Sequence, residues 1–330
     1  MPPLVTVLMP IYNGSAHLRE AIESVLNQNF SDFEFLIIDD GSTDGSREIV
    51  NSYDDPRIEL RLSPKNRGIA KTLNDGIKLA KGRYIARMDA DDICMPQRLQ
   101  RQFDFMETYS HIGLVGSGVM KIKQNRVNKI VSWPETDAEI KIDLLFQNPF
   151  FHPSVMVRCD LLKKTGYNLQ LPYAQDYGLW VELAHLTDFA NLPDALIKYR
   201  VHEGQVTKTK GSQQAAMARK VRENYLCTIF HDVNKNDLDI HNAIAERDRS
   251  ADLFQSARWL ESLDRRNNIS RKFPVDTFRT MIARKWWNCC KNNRQNGINI
   301  WHAYKSSYLS DIHTEAPQHI VRYLLKSLFR

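Results

Sequence analysis

The sequence predicts an α/β fold for residues 1–204, with a mostly parallel sheet flanked by helices, and an α-helical region for residues 205–330. Short apolar runs alternate with helical patterns in the first part, which is typical of a doubly wound sheet with right-handed crossovers. Acid-rich motifs follow several of these runs, where each strand would end. Beyond residue 204 the strand signals stop, and helical periodicity predicts helices at Gln213–Phe230 and Ala243–Leu263.

The first strand is predicted at Leu4–Met9, an apolar run bounded by prolines. It leads into Pro10-Ile-Tyr-Asn-Gly-Ser15, where Ser15 is expected to cap the following helix. A dinucleotide-binding Rossmann domain would need Gly-x-Gly-x-x-Gly here, and this stretch does not supply it.

Two further strands are predicted at Phe33–Ile38 and Ile58–Leu62. They lead into Asp39-Asp-Gly-Ser-Thr-Asp44 and Asn66-Arg-Gly68, and Gly82 is expected to end the next helix in a left-handed conformation. Because parallel strands end at the same edge of a sheet, these motifs should form one site.

The fourth strand, Tyr84–Met88, runs directly into Asp89, Asp91 and Asp92. Three carboxylates this close repel one another, so a hard divalent cation such as Mg²⁺ or Mn²⁺ is the expected counter-charge. An acidic turn that caps the helix beginning at Pro96 is the alternative interpretation, and Asp92 suits it best of the three.

Three later features sit where further strands and helices are expected. His152 lies in a proline-flanked loop before a strand, and Asp176 opens a helix, where plain N-capping is the alternative to a chemical role. A last strand, Leu196–Val201, ends at His202.

Residues 3–203 resemble the family 2 inverting glycosyltransferases, which have the GT-A fold. The resemblance rests on motifs in the family's order and at its usual spacings: Val5-Thr-Val-Leu-Met-Pro-Ile-Tyr-Asn13, Asp39-Asp-Gly-Ser-Thr-Asp44, Asn66-Arg-Gly68, Met88-Asp-Ala-Asp-Asp92 and Gln175-Asp176. It specifies the family but not the sugar, and it does not extend to the helical remainder.

The resemblance implies a UDP-sugar site that includes Pro10, Tyr12 and Asn13. Tyr12 would stack on the base, and Asp40 would accept a hydrogen bond from the imide N–H of uracil. Arg67 would offset the diphosphate or hold the base, with a solvated turn arginine as the alternative.

The same resemblance assigns the chemistry. Asp89 would bind ribose or a metal-bound water, Asp91 would ligate Mn²⁺ or Mg²⁺, and Asp176 would be the general base. His202 would reach the metal or the diphosphate. The transfer would invert the anomeric carbon.

Two residues beside these have competing interpretations. His152 would touch the acceptor or the donor diphosphate, or pack within its loop. Trp180 is expected in the core rather than at the acceptor site.

Composition predicts an ordinary soluble protein, with 42% hydrophobic and 25% charged residues. Five cysteines without paired spacing fit reduced thiols. No secretory signal or membrane-spanning run is recognised, so a cytoplasmic location is expected. If the acceptor is lipid-linked, the expected place is the cytoplasmic face of the inner membrane. Residues 1–200 carry a net charge of −3, and residues 201–330 carry +9. A basic second part favours an anionic partner.

The last twelve residues, His319–Arg330, form an amphipathic helical pattern. Its basic face, with Arg322, Lys326 and Arg330, suits a membrane interface, and docking on protein is the alternative. The tryptophans of the cluster Arg279–Trp287 could add to such an interface.

Two other function classes remain open at this point. A nucleotidyltransferase acting on sugar phosphates would need a Gly-rich phosphate loop with a lysine, which residues 10–15 do not contain. A nucleic-acid-binding protein would need a recognisable motif, and none is present, so no nucleic-acid partner is expected. The predicted acceptor is a saccharide, free or lipid-linked.

Overall fold

The computed structural model describes residues 2–123, 126–202, 210–293 and 299–312. The chain divides into two compact units, residues 1–140 with 148–221, and residues 141–147 with 222–330. The first unit contains the whole described sheet.

The sheet has nine strands among the described residues. They are β1 (Val5–Ile11), β2 (Phe33–Asp39), β3 (Ile58–Leu62), β4 (Tyr84–Arg87), β5 (Ile93–Cys94), β6 (Ile112–Lys123), β7 (Arg126–Val131), β8 (Met156–Arg158) and β9 (Asp188–Arg200). The strand order is β3-β2-β1-β4-β8-β6-β9-β5, and β7 pairs with β6. The strands β3, β2, β1 and β4 are parallel to one another. β8 is antiparallel to both of its neighbours, β4 and β6, while β6 and β9 are parallel.

The helices pack on this frame or follow it along the chain. They are α1 (Ser15–Leu26), α2 (Ser46–Asn51), α3 (Ile69–Leu79), α4 (Arg98–Thr108), α5 (Asp137–Asp143), α6 (Cys159–Thr165), α7 (Gln175–Leu183), α8 (Gly211–Ile229), α9 (Lys235–Ala245), α10 (Leu253–Ser270), α11 (Val275–Asn292), α12 (Asn299–Lys305) and α13 (Leu309–Ile312). The alternation of strands and helices confirms the predicted fold class.

The core of the first unit explains the strand assignments. Every residue of β1 except Pro10 is buried, as are all four residues of β4. α1 buries Leu18, Ala21, Ile22 and Val25 against the sheet, which is the spacing of one helical face. The carboxyl ends of β1, β2 and β4 therefore come out at one edge.

Two predicted helix caps are wrong. Ser15 is the first helical residue, and the residue before it, Gly14, makes no side-chain cap. Gly82 does not have a positive φ, and α3 already ends before Ala80. Gly82 is needed for a different reason: a Cβ there would lie 2.4 Å from the backbone nitrogen of Thr6, so the glycine allows two chain segments to touch.

The second unit is helical where it is described. The single helix predicted at Ala243–Leu263 is wrong, because α9 ends at Ala245 and Asp252 caps a new helix by accepting the backbone N–H groups of Phe254 and Gln255. No helix among the described residues combines the length and apolar character that a bilayer crossing requires.

The predicted interfacial tryptophans are also wrong. Trp286 and Trp287 are buried in α11, and Lys285 forms an ion pair with Asp143. The amphipathic stretch 319–330 lies outside the described residues.

Candidate active site

The loops after β1 and β2 are hydrogen-bonded to each other. The backbone N–H groups of Asn13, Gly14 and Ser15 donate to Ser42, Ser46 and Asp44, respectively. In return, the side-chain oxygen of Asn13 accepts the backbone N–H of Thr43, with Asn13 in a left-handed conformation. The two motifs thus form one rigid wall of the site.

Tyr12 and Pro10 belong to this wall. The Tyr12 side chain is 52% exposed, although it is a large aromatic residue directly after a buried strand. Pro10 is half-buried on β1. An exposed ring on a rigid wall can stack against a planar ligand.

Asp40 joins this wall to the third motif. Its two carboxylate oxygens accept the backbone N–H of Arg67, at 3.0 Å to each, and one also accepts the N–H of Gly68 at 2.9 Å. The Arg67 guanidinium pairs with Asp75 and donates to Ser63. Asp39 supports the same region by accepting from Ser42 and Arg47.

An acid cluster lies at the end of β4. Asp89, Asp91 and Asp92 each present a carboxylate oxygen, and these atoms lie within 4.8 Å of one another. Asp92 is buried, and one of its oxygens accepts the backbone N–H of Arg200 at 2.8 Å. It does not cap α4: the N-cap residue is Gln97, and no side-chain cap is present there, so the predicted capping role is wrong.

The buried guanidinium of Arg87 partly balances this cluster. It forms an ion pair with Asp89. Burial raises the pKa of Asp89, an effect that the charge of Arg87 opposes and that of Asp91 reinforces. Burial, followed by the charges of Asp89 and Asp91, raises the pKa of Asp92 well above its usual range.

Residues from the end of β9 close the cluster on the other side. The Arg200 guanidinium donates to the backbone oxygen of Asp91 and pairs with Glu20 at 2.5 Å. The Nε2 atom of His202 lies 2.9 Å from the carboxylate of Asp91. The His17 ring lies 5.7 Å from the ring of His202, centre to centre.

Asp176 lies in the first turn of α7 and is half-buried. The side-chain amide of Asn148 donates to its carboxylate at 2.7 Å. Burial raises the pKa of Asp176, while the backbone N–H of Tyr177, the charge of Arg87 and the Asn148 amide act in the opposite direction. The same arginine therefore acts on Asp176 and on the acid cluster.

His152 is buried next to this region. Its Nε2 atom lies 2.7 Å from the Tyr167 hydroxyl, and its ring meets Trp180 edge-on. Burial, and then the charge of Arg87, lowers the pKa of His152 well below its usual value, so the ring is neutral. Trp180 is fully buried, in agreement with its predicted place in the core.

The acid cluster fits a divalent cation. One carboxylate oxygen of Asp92 is buried without a hydrogen-bond partner among the described residues, and two further carboxylates converge on the same place. Hard cations prefer such oxygen ligands, and a cation would remove the mutual repulsion.

Comparison with known proteins decides the family. Residues 6–166 match the model of "Glycosyl transferase family 2". An uncharacterized glycosyltransferase of Haemophilus influenzae is 33% identical over 252 residues, which span 72% of this chain and 77% of that protein. The chain belongs to glycosyltransferase family 2. The amylovoran biosynthesis glycosyltransferase AmsE of Erwinia amylovora is 30% identical over 213 residues, 63% of this chain and 80% of its own.

Solved structures confirm the predicted GT-A fold of this family 2 enzyme. S. aureus TarS 1–349 in complex with UDP-GlcNAc aligns with a TM-score of 0.58 at 18% identity, over 92% of this chain and 91% of that one. The mannosyltransferase PcManGT from Pyrobaculum calidifontis, in complex with GDP-Man and Mn²⁺, aligns with a TM-score of 0.53 at 17% identity, over 90% and 88%.

Two residues that matter for the electrostatics of this glycosyltransferase were missed in the sequence. Arg87 is a charged residue within an otherwise apolar strand, and that position alone signals a buried partner. Asn148 gave no local signal, because its contact with Asp176 joins residues 28 positions apart.

Proposed function

We propose that the enzyme transfers a hexose or N-acetylhexosamine from a UDP-sugar to a saccharide acceptor, with inversion and with the help of a divalent cation. One arrangement carries the proposal. Three carboxylates converge at the end of β4, and a separate carboxylate, Asp176, is held by Asn148 under the influence of the same buried arginine. The three carboxylates would hold a cation that binds the diphosphate, and the separate carboxylate would act as the general base.

The donor nucleotide would lie against the wall formed by the first two motifs. Tyr12 offers its exposed ring to the base, and Pro10 and Asn13 shape the loop beneath it. Asp40 uses about three of the roughly four lone-pair sites of a carboxylate on backbone N–H groups, so an acceptor site is left for the imide N–H of uracil. Arg67 stands beside it, held by Asp75.

The diphosphate would lie at the acid cluster. Asp91 would hold Mn²⁺ or Mg²⁺ together with His202, and Asp89 would contact the ribose or a metal-bound water. A divalent cation at this place offsets the negative charge that develops on a leaving diphosphate.

Asp176 would take the proton from the acceptor hydroxyl. A general base must be ionised, and the Asn148 amide and the Tyr177 N–H favour the ionised carboxylate. Attack on the face opposite to the leaving diphosphate inverts the anomeric carbon. His152, neutral and bonded to Tyr167, would shape the pocket in which the acceptor and the diphosphate meet.

The known relatives support this choice of substrates. TarS is in complex with UDP-GlcNAc, PcManGT is in complex with GDP-Man and Mn²⁺, and AmsE is named for amylovoran biosynthesis. We choose a uridine donor because of Tyr12 and Asp40, and a saccharide acceptor, lipid-linked, in surface polysaccharide assembly. Family membership leaves the nucleotidyltransferase and nucleic-acid-binding alternatives without support.

We further propose that residues 1–204 form the catalytic domain and that residues 205–330 contact a membrane or partner. The enzyme would then work at the cytoplasmic face of the inner membrane, where a lipid-linked acceptor is presented.

The test is hydrolysis and transfer with a panel of nucleotide-sugars in the presence of Mn²⁺. UDP-sugars should be consumed, EDTA should abolish the activity, and Mn²⁺ or Mg²⁺ should restore it. Asp91→Asn should lose most activity while the melting temperature is kept. Full activity in EDTA would refute the role of the metal, and consumption of GDP-sugars alone would refute the uridine assignment.

A further inference from the structure

A row of aromatic rings lies beside the acid cluster, and the assignments above leave it without a role. The ring centres of Trp133 and Phe151 are 5.7 Å apart, and those of Phe151 and Tyr199 are 5.5 Å apart. All three residues are half-buried, so the row is not enclosed in the core. We call these three residues the aromatic row.

A lysine lies over the aromatic row. The Nζ atom of Lys121 is 5.5 Å from the ring centre of Phe151 and 6.0 Å from that of Tyr199. Lys121 is the direct neighbour of Tyr199 in the β6–β9 ladder and of Lys129 in the β6–β7 ladder, so the three side chains share one face of the sheet. The cation is therefore fixed on the row by strand register.

The aromatic row is continuous with the reaction centre. Tyr199 precedes Arg200, whose backbone N–H binds Asp92. Burial raises the pKa of the Tyr199 hydroxyl, and the charges of Asp89 and Asp92 add to this effect, as expected for a group close to the cluster. In the middle of the row, Phe151 belongs to the loop that begins at Asn148, the partner of Asp176.

The hairpin that carries Lys121 is strongly basic. Residues 112–131 contain four cationic side chains and no acidic one, although residues 1–200 as a whole have a net charge of −3. The cations are Lys121, Lys123, Arg126 and Lys129. Such a concentration of positive charge favours a ligand of opposite sign.

Trp133 adds a second feature. Its indole N–H has no hydrogen-bond partner among the described residues, so no acceptor in that part of the chain fixes the ring. Indole rings in cores are normally paired through this group. The N–H group is itself buried, as is that of Trp180, which also lacks a partner among the described residues, so Trp133 contributes to the row through its half-buried ring and not through this group.

We infer that Trp133, Phe151, Tyr199 and Lys121 form the acceptor subsite and that the acceptor is a negatively charged saccharide. The rings would receive the apolar face of the sugar, and Lys121, supported by Lys129, would pair with its anionic group. That group is a carboxylate on the sugar or a phosphate that links it to a carrier. This inference rests on the proposed function, since it names the second substrate of the same site.

Binding of three probes to the full chain, loaded with UDP and Mn²⁺, tests the inference by calorimetry. The probes are p-nitrophenyl glucoside, p-nitrophenyl glucuronide and N-acetylglucosamine linked through diphosphate to a short prenyl chain. At least one anionic probe should bind about tenfold tighter than the neutral glucoside, a difference typical of one charge-assisted contact. The anionic probe that binds identifies whether carboxylate or phosphate is recognised.

Variants make the test specific. Lys121→Gln should reduce the preference for the anionic probe about tenfold, and Trp133→Ala should weaken all bound probes by a similar factor. Lys78→Gln, an exposed lysine in the last turn of α3, is the matched control and should change neither quantity. Melting temperatures check the fold, and Lys121→Gln keeps the test valid if Trp133→Ala is unstable.

Equal binding of charged and neutral probes would overturn the inference, and so would a preference that Lys121→Gln leaves intact. Failure of the proposed function looks different, because the wild-type enzyme would then consume no nucleotide-sugar. Consumption of UDP-sugar by the wild type, combined with no charge preference, refutes the acceptor subsite alone.

Discussion

The hydrogen bond from Asn148 to Asp176 should set the pH dependence of the reaction. The amide donates to the carboxylate at 2.7 Å and so favours its charged form. Removing the donor should raise the pKa of Asp176, which burial already raises. Because the base acts in its deprotonated form, the acid limb of the activity profile should move to higher pH in Asn148→Ala.

The size of this shift follows from the contact. A hydrogen bond to a charged group contributes about 1.5–3 kcal/mol, and one pKa unit corresponds to about 1.4 kcal/mol, which together give roughly 1–2 units. Asp176 is half-buried, and solvent replaces part of the lost bond. We therefore expect a shift of about one pH unit.

A second substitution separates charge from loop structure. The side-chain oxygen of Asn148 also accepts the backbone N–H of Phe150, a bond that Asn148→Asp keeps and Asn148→Ala loses. A carboxylate beside Asp176 should raise its pKa further, so the acid limb should move in the order wild type, Asn148→Ala, Asn148→Asp.

The assay is the initial rate of UDP-sugar hydrolysis across the acid range at saturating donor and Mn²⁺. Asn51→Ala, at the exposed end of α2, is the control. An acid limb that stays in place in both Asn148 variants would refute the assignment of Asp176 as the base. A shift in Asn148→Ala alone would show that the position of the loop, and not charge, is responsible.

Further substitutions address the base, the nucleotide and the packing. Asp176→Asn should lower kcat by about 10²-fold or more with unchanged UDP-sugar affinity by calorimetry, and loss of that affinity would make it a donor ligand. Tyr12→Ala should weaken inhibition by UDP without a change in melting temperature, because the ring is half exposed; unchanged inhibition would contradict stacking. Asp40→Ala should erase the preference for UDP over GDP and also lower the melting temperature, because the backbone N–H of Arg67 loses its acceptor, while that of Gly68 keeps Asn66. A retained preference for UDP would refute the uracil contact. Gly82→Ala should lower the free energy of unfolding by about 1–3 kcal/mol, because its Cβ would overlap the Thr6 backbone, and an unchanged denaturation midpoint would contradict this.

Local patterns predicted the frame of the first unit well. The strand Ile58–Leu62 was placed at its observed bounds, and the acid cluster was placed at the end of its strand. The apolar runs of β1 and β4 report burial on both faces of the sheet, which is a local property of the sequence, while the alternating pattern of Ile58–Leu62 suits a strand at the edge. The family was also predictable, because its motifs are short and contiguous.

Errors arose where distant residues decide the conformation. Gly82 was interpreted as a helix cap, but its role depends on contact with Thr6, 76 positions away. Trp286 and Trp287 follow two basic residues, which suggests a membrane interface, yet packing of α11 buries both rings. The pairing of Arg87 with Asp89 and the contact of Asn148 with Asp176 could not be predicted, because hydrophobic periodicity in the sequence does not report contacts between individual polar side chains.

The hydrogen bond from the Arg200 backbone N–H to Asp92 affects how the protein folds while it is being synthesised. The two residues are 108 positions apart, and a ribosome needs roughly 5–20 s to add that much chain. Until β9 has been made and has docked, the acid cluster has Arg87 as a counter-charge but lacks the backbone N–H of Arg200, so the parallel strands β1 to β4 must assemble around negative charge that is only partly balanced. Free Mg²⁺ in the cell could bind this nascent cluster and favour the early half of the fold before the enzyme has a substrate.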